Sequence, residues 1–280
     1  MCSSLGLRGP QWARRQAEYA FFPMNPADSV LRWGRWMAWV CVAWCGLGLA
    51  ERRAEGVELA PGFVAETIAT HLNAASACVS LPDGRILIAD QTGRVLVWKN
   101  GRMNDQPALN LHVTDYWERG LIGLALDPEF PRTPHVFVLY VTDRPVVHHV
   151  LSRYTLSGDV LDPASERILL EGDDQGQLGG TVPAGHQGGP LRFGPDKMLY
   201  LSIGEQTAGL PAQRLDTLQG KILRLNPDGT IPADNPLLSL TRGKYRSIYA
   251  FGVRNSFGLA FQPKDSGGAH VFFGCRRQCL

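Results

Sequence analysis

Between its leader and its last few residues, the chain has a single cysteine. Six occur in all, but Cys2, Cys41 and Cys45 lie in the first 50 residues and Cys275 and Cys279 in the tail, leaving Cys78 alone in the body. One cysteine excludes a disulfide framework, and Cys78 reads as a small buried hydrophobe rather than a reactive thiol. No CxxCH occurs, so no covalently attached haem domain is indicated. Long hydrophobic runs are scarce too. WMAWVCVAWCGLGLA, at Trp36–Ala50, is 15 residues long, short of the roughly 20 that a membrane-spanning helix needs. Charge of one sign is lacking: the formal net charge is +2. Residues 1–50 hold five arginines and two acids, so the remaining 23 basic and 24 acidic groups nearly cancel. That balance argues against a basic face for nucleic acid.

The leader, residues 1–50, has the order of a secretory signal. Arg32 and Arg35 precede the apolar run, Gly48 and Ala50 are small enough for a peptidase site, and Glu51, Arg52 and Arg53 restore polarity. Met24 is an alternative start, since NPADSVLRWGR before the run is a more ordinary beginning. The expected location is periplasmic or secreted, with an uncleaved leader serving as a membrane anchor as the lesser alternative. Lipid modification at Cys45 is disfavoured by the bulky Trp44 before it.

What the body does have is 31 glycines and 19 prolines across the chain, 44% apolar residues and few amphipathic helical patterns. This composition favours many turns over long helices. Four related segments recur: VSLPDGRILIAD, LALDPEFPRTPHVFVLYVTD, LRFGPDKMLYLSIGE and LAFQPKDSGGAHVFF. Each sets an apolar approach, a proline turn at Pro82, Pro128, Pro195 or Pro263, and a run of branched and aromatic residues. RVLVWKNG, LSRYTLSG and GKILRLNPDG supply further strands between them. The reading is an all-β propeller over roughly residues 57–280, with a β-sandwich as the alternative. Long loops are expected at 173–188, 205–217 and 235–249, with a helical turn around Gln213–Leu218.

Several residues carry candidate chemistry. His186 lies in a glycine-rich approach to a strand, where an imidazole can accept a hydroxyl proton or serve a structural hydrogen bond. Glu205 closes the same repeat and can orient a histidine or cap a loop. Arg254 can hold carboxylate or quinone oxygens beside the amide of Asn255, or form a salt bridge between blades. Glu118 and Arg119 precede a buried strand, either as polar groups in the propeller mouth or as a strand-edge ion pair.

ERGLIGLALDPEF at 118–130, HQGGPLRFGPDKMLYLSIGE at 186–205, QGKILRLNPDGTIPADNP at 219–236 and YAFGVRNSFGLAFQP at 249–263 resemble the soluble PQQ-dependent glucose and sorbosone dehydrogenases. The resemblance covers roughly residues 57–265. It implies a six-bladed propeller that binds the quinone PQQ with calcium and oxidises a sugar or polyol hydroxyl, passing electrons to an external acceptor. On the matching positions it implies His186 as the catalytic base, Glu205 as its acidic support, Arg254 at the quinone carbonyls and Asn255 as a cofactor-pocket neighbour. Glu118 falls at a substrate-facing position where the glucose enzyme has glutamine, and Glu205 where it has aspartate. The pattern departs after Gln262-Pro263, so about four blades are expected, in a shortened chain with an atypical tail from about residue 264. No calcium ligands are carried onto Phe273 or Gly274. A non-catalytic exported propeller or fragment that binds carbohydrate or protein is the alternative. A propeller lactonase is disfavoured because the strings match the quinoprotein pattern better than a carboxylate metal cage.

Overall fold

The computed structural model describes residues 59–262 and the backbone of one further strand at 271–275. The leader, the alternative start and Cys2, Cys41, Cys45 and Cys279 lie outside the described residues. In chain order, β1 (Ala75–Ser80), β2 (Ile86–Asp90) and β3 (Arg94–Lys99) form a first antiparallel sheet. The short β4 (Arg102–Met103) and β5 (Leu109–Asn110) both pair with β3. β6 (Leu121–Leu126), β7 (His135–Thr142), β8 (His148–Ser157) and β9 (Val160–Glu171) make the second sheet. After a four-residue helix, α1 (Gln175–Leu178), the third sheet runs through β10 (Gly188–Phe193), β11 (Leu199–Ile203), β12 (Lys221–Leu225) and β13 (Ile248–Phe251). β14 (Ser256–Phe261) pairs with β15 (Val271–Cys275) in a fourth.

The proline turns occupy equivalent places. Pro82 lies between β1 and β2, Pro128 between β6 and β7, and Pro195 between β10 and β11; Pro263 itself is outside the described residues. In the first and third turns the same bonds recur. Leu81 N donates to Arg85 O at 2.8 Å and Gly194 N to Met198 O at 2.9 Å. The carboxylates of Asp83 and Asp196 each accept the backbone N–H two residues on, at 3.1 Å. The repeated sequence unit is therefore the first hairpin of each sheet.

Period-two alternation along the middle strands decides between sandwich and propeller. Val136, Val138 and Tyr140 of β7 pack with Leu87, Val95 and Val97 of the first sheet. Phe137, Leu139 and Val141, on the opposite face, pack with Leu191, Leu199, Leu201 and Leu223 of the third. The third sheet repeats the pattern, since Tyr200 and Ile222 turn away to meet Leu259 and Phe261 of β14. A sandwich sheet buries one face, whereas here the second and third sheets are buried on both. The first strands of successive sheets adjoin, with β6 against β1 and β10 against β6 and β14. This is propeller packing.

Two local expectations are corrected. Cys78 is exposed, because in β1 the residues turned inward are its neighbours Ala77 and Val79. The helical turn expected at Gln213–Leu218 lies instead at Leu210–Gln213, where Pro211, with its fixed φ and missing N–H, suits the opening of a helical turn.

Close approach of the second and third sheets requires Gly123, since a Cβ there would sit 2.5 Å from Gly189 O and 3.0 Å from Leu139 Cβ. Gly123→Ala should cost about 1–3 kcal/mol in urea unfolding. Unchanged stability would show that the inner strands do not approach this closely.

Candidate active site

Four chain segments at one end of the sheets meet around His186: residues 117–120 before β6, 181–187 before β10, 204–213 after β11 and 252–255 before β14. The crossing of the second and third segments is tight. Gln206 N donates to His186 O at 3.2 Å, and any side chain at Gly204 would collide with that same carbonyl. Only glycine lets β11 leave its sheet here, and the next residue is Glu205.

His186 and Glu205 are buried. His186 Nδ1 lies in short hydrogen-bond contact with Glu205 Oε1, and Gly209 N donates to Glu205 Oε2. Both carboxylate oxygens are thus engaged, so the acid is fixed as well as its partner. With the Nδ1 proton directed at the carboxylate, Nε2 is left as the basic atom. Glu205 N donates to Arg254 O at 2.9 Å, tying the pair to the segment that carries the arginine.

Asn255 and Glu118 fasten the backbone just beyond His186. Asn255 Oδ1 accepts Gly188 N at 3.0 Å, and Asn255 Nδ2 donates to Glu118 Oε2 at 3.0 Å. The same Glu118 oxygen accepts Gln187 N at 3.2 Å. The expected Glu118–Arg119 ion pair is not formed, because Glu118 is held by these N–H groups and Arg119 Nε donates to Gln175 Oε1 at 3.0 Å. Arg254 likewise forms no salt bridge among the described residues. Its side chain is exposed and, among the described residues, has no hydrogen-bond or ion-pair partner.

His186, Glu205 and Arg254 line one open cleft of about 590 Å³, together with Thr181, Thr207, Gly209 and Gly252. The five residues marked by the family resemblance are therefore drawn together, three on the cleft and Asn255 and Glu118 behind it. Among the described residues, no group of three or more His, Cys, Asp or Glu could hold a metal ion.

Sequence reasoning passed over the layer beneath. Buried His149 has Nε2 3.1 Å from Gln187 O and Nδ1 3.3 Å from Gln175 Nε2. Gln175 Nε2 also donates to Gln187 Oε1 at 2.8 Å, and Gln187 Nε2 to Pro183 O at 2.7 Å. This chain of amides supports the residue next to His186 from below. Burial pushes the His149 pKa down to about 4 against the pull of the Gln187 carbonyl, so the ring is neutral. No local motif marks His149, since its partners come from sequence positions 26 and 38 residues away.

The packed antiparallel sheets thus form a β-propeller that carries, at one end, a histidine–carboxylate pair and an arginine without a partner among the described residues. The chain belongs to the Glucose / Sorbosone dehydrogenase family, whose pattern matches residues 72–267. It is 30% identical to aldose sugar dehydrogenase YliI of Escherichia coli over 189 residues, 65% of this chain and 49% of that protein. With quinoprotein glucose dehydrogenase B of Acinetobacter calcoaceticus it shares 31% over 240 residues, 72% of this chain and 46% of that one. Among solved structures, an oxidoreductase from Thermus thermophilus, described as a glucose dehydrogenase, matches at 37% identity and a TM-score of 0.62, over 71% of this chain and 57% of that one. The PQQ-bound aldose sugar dehydrogenase of Streptomyces coelicolor matches at 28% and 0.62, over 75% and 59%. The chain spans about half the length of the curated relatives it matches.

The support of His186 is open to two stability measurements. Between pH 6.5 and about 4 the unfolded chain protonates at residue 149 while the folded chain does not, so stability falls as pH falls through that window, by about 3 kcal/mol in all. In urea titrations at pH 7 and pH 4, His149→Gln should lose correspondingly less stability than the parent; an equal loss would place the titration elsewhere. Asn255→Leu strands the Gly188 N–H and half of the Glu118 carboxylate's partners, and should cost about 1–3 kcal/mol in the same assay.

Proposed function

We propose that this chain oxidises a hydroxyl-bearing carbon of a sugar or polyol in the His186 cleft, with PQQ as the cofactor and aldose to lactone as the representative reaction. The observation that carries the reading is a buried histidine, held at Nδ1 by a carboxylate engaged through both oxygens, opening onto the same cleft as a guanidinium with no partner among the described residues. PQQ is a flat polycarboxylate with adjacent carbonyl oxygens, and the residues present suit it. Arg254 offers a planar cation, and Ala208, Gly209, Gly252 and Val253 leave low walls against which a flat ring system can lie.

In this reading, His186 Nε2 removes the proton from the substrate hydroxyl. Glu205 keeps the ring oriented and stabilises the imidazolium that results. Arg254 binds the anionic oxygens of the cofactor and balances the charge that develops there. When bound, PQQ supplies the two-electron acceptor for the hydride that leaves the substrate carbon, chemistry that no side chain offers. Asn255 and Glu118 act through the backbone, holding residues 187–188 so that the imidazole keeps its place. Calcium remains an implication of family membership, and no step is assigned to it. An external acceptor would reoxidise the cofactor, and the arginine-flanked apolar leader supports export to the periplasm or the medium.

The test is sugar-dependent dye reduction by the PQQ-loaded chain. His186→Gln should lower kcat by about 10²–10⁴ while PQQ affinity, followed by absorbance titration, changes little. Arg254→Ala should weaken PQQ binding by about tenfold or more, as loss of a charge-assisted contact. Absence of sugar-dependent reduction by the loaded parent, or an unimpaired His186→Gln variant, would contradict the proposal.

A further inference from the structure

We infer that Trp117 is a specificity-determining residue, an aromatic platform on the rim of the His186 cleft for a second sugar ring, which makes reducing oligosaccharides the preferred substrate class. The inference rests on the sugar-oxidising reading of the cleft.

Trp117 has a backbone φ of +61°, a conformation that crowds the Cβ of any bulky residue and costs about 1–3 kcal/mol. The surroundings enforce it. Gln91 Nε2 donates to the carbonyls of both Trp117 and Arg119. Arg119 N donates to Tyr116 O and Glu118 N to Ala184 O, each at 3.2 Å. Burial does not compensate for the strain, since Trp117 is 63% exposed and its neighbour Tyr116 67%. The two rings lie 6.4 Å apart at a tilt of 49°. A strained, tightly held and outward-facing indole is poorly explained by folding alone.

Its position says what it faces. A Cβ at Gly185, the residue before His186, would lie 3.6 Å from Trp117 Nε1 and 3.4 Å from Thr207 Cγ2, and Thr207 lines the cleft. The indole therefore stands beside Gly185, next to the histidine and near Thr207 of the cleft, while it is not itself among the residues that line the cleft. Its N–H has no acceptor among the described residues. A pyranose presents one face of C–H bonds and an edge of hydroxyls. An indole face covers the first and a free indole N–H donates to the second. What extends from a reacting sugar toward this rim is the next ring of an oligosaccharide.

Glucose and maltose share the reacting ring and differ by one further ring, so they separate the rim from the cleft. With the full chain, binding of each sugar is measured by saturation-transfer NMR and by shielding of tryptophan fluorescence from acrylamide, and turnover by dye reduction with PQQ added. The parent should bind maltose more tightly than glucose, and maltose alone should shield an indole. In Trp117→Ala the affinity and KM for maltose should worsen about tenfold, as expected for loss of roughly 1.4 kcal/mol, and those for glucose less than twofold. Trp117→Phe should retain part of the maltose preference. Equal losses for both sugars, or none for maltose, would overturn the platform. Trp117-dependent maltose binding without PQQ-dependent turnover would support the platform and fail only the oxidation reading. Turnover that ignores Trp117 would do the reverse.

Discussion

Burial of the middle strands on both faces is the constraint from which the rest follows. A strand such as HVFVLYVT cannot place either face in water, so its sheet must be covered by one neighbour on each side. Stacking the sheets with their first strands adjacent brings equivalent connections to one end of the stack. The residues with chemistry to do lie in those connections, and the packed sheets beneath allow them little freedom of position. His186 and Glu205 are neighbours because β10 and β11 are paired from Gly188↔Ile203 onward, and Arg254 joins them because its segment bonds to the same turn.

Polar groups at this end are held by other polar groups at nearly every point. Glu205 uses both oxygens, Asn255 both ends of its amide, and Glu118 bridges two donors with one oxygen. The same economy appears under the 3₁₀ turn at Leu210–Gln213. Fully buried Lys221 directs its ammonium at the carbonyls of Pro211, Ala212 and Gln219. Burial pushes its pKa down to about 8, opposed by Asp173 and Asp216. Ala212 O in turn accepts Gly252 N, two residues before Arg254. Against this background the Arg254 cation and the Trp117 indole N–H stand out as having no partner among the described residues, the first lining the cleft and the second beside Gly185, next to His186.

Much of this arrangement is legible in the sequence, and the boundary of legibility is physical. The proline-turn-strand unit is readable because a hairpin is local, whereas the burial of both faces is not, since β8 and β12 carry polar and charged residues among their apolar ones. His186, Glu205, Arg254, Asn255 and Glu118 are found through motif resemblance, since no spacing rule unites residues from separate connections. His149 and Lys221 escape because an isolated histidine or lysine in a strand looks like any other until its partners, which lie far along the chain, are in place. Cys78 misleads because a residue type that is usually buried falls on the outward side of a strand. Trp117 gives no warning at all, as its strain exists only once the Gln91 amide and the Ala184 carbonyl have fixed the turn.

The central claim is that the cleft holding His186 and Arg254 is built to receive a planar anionic quinone. Calorimetric titration of the folded protein with PQQ, in excess calcium and again without it, tests that most directly. Saturable binding at a stoichiometry near one in the presence of calcium is the expected result. A folded sample that takes up no PQQ under either condition would contradict it, and would leave the histidine–carboxylate pair as an inherited framework without its cofactor.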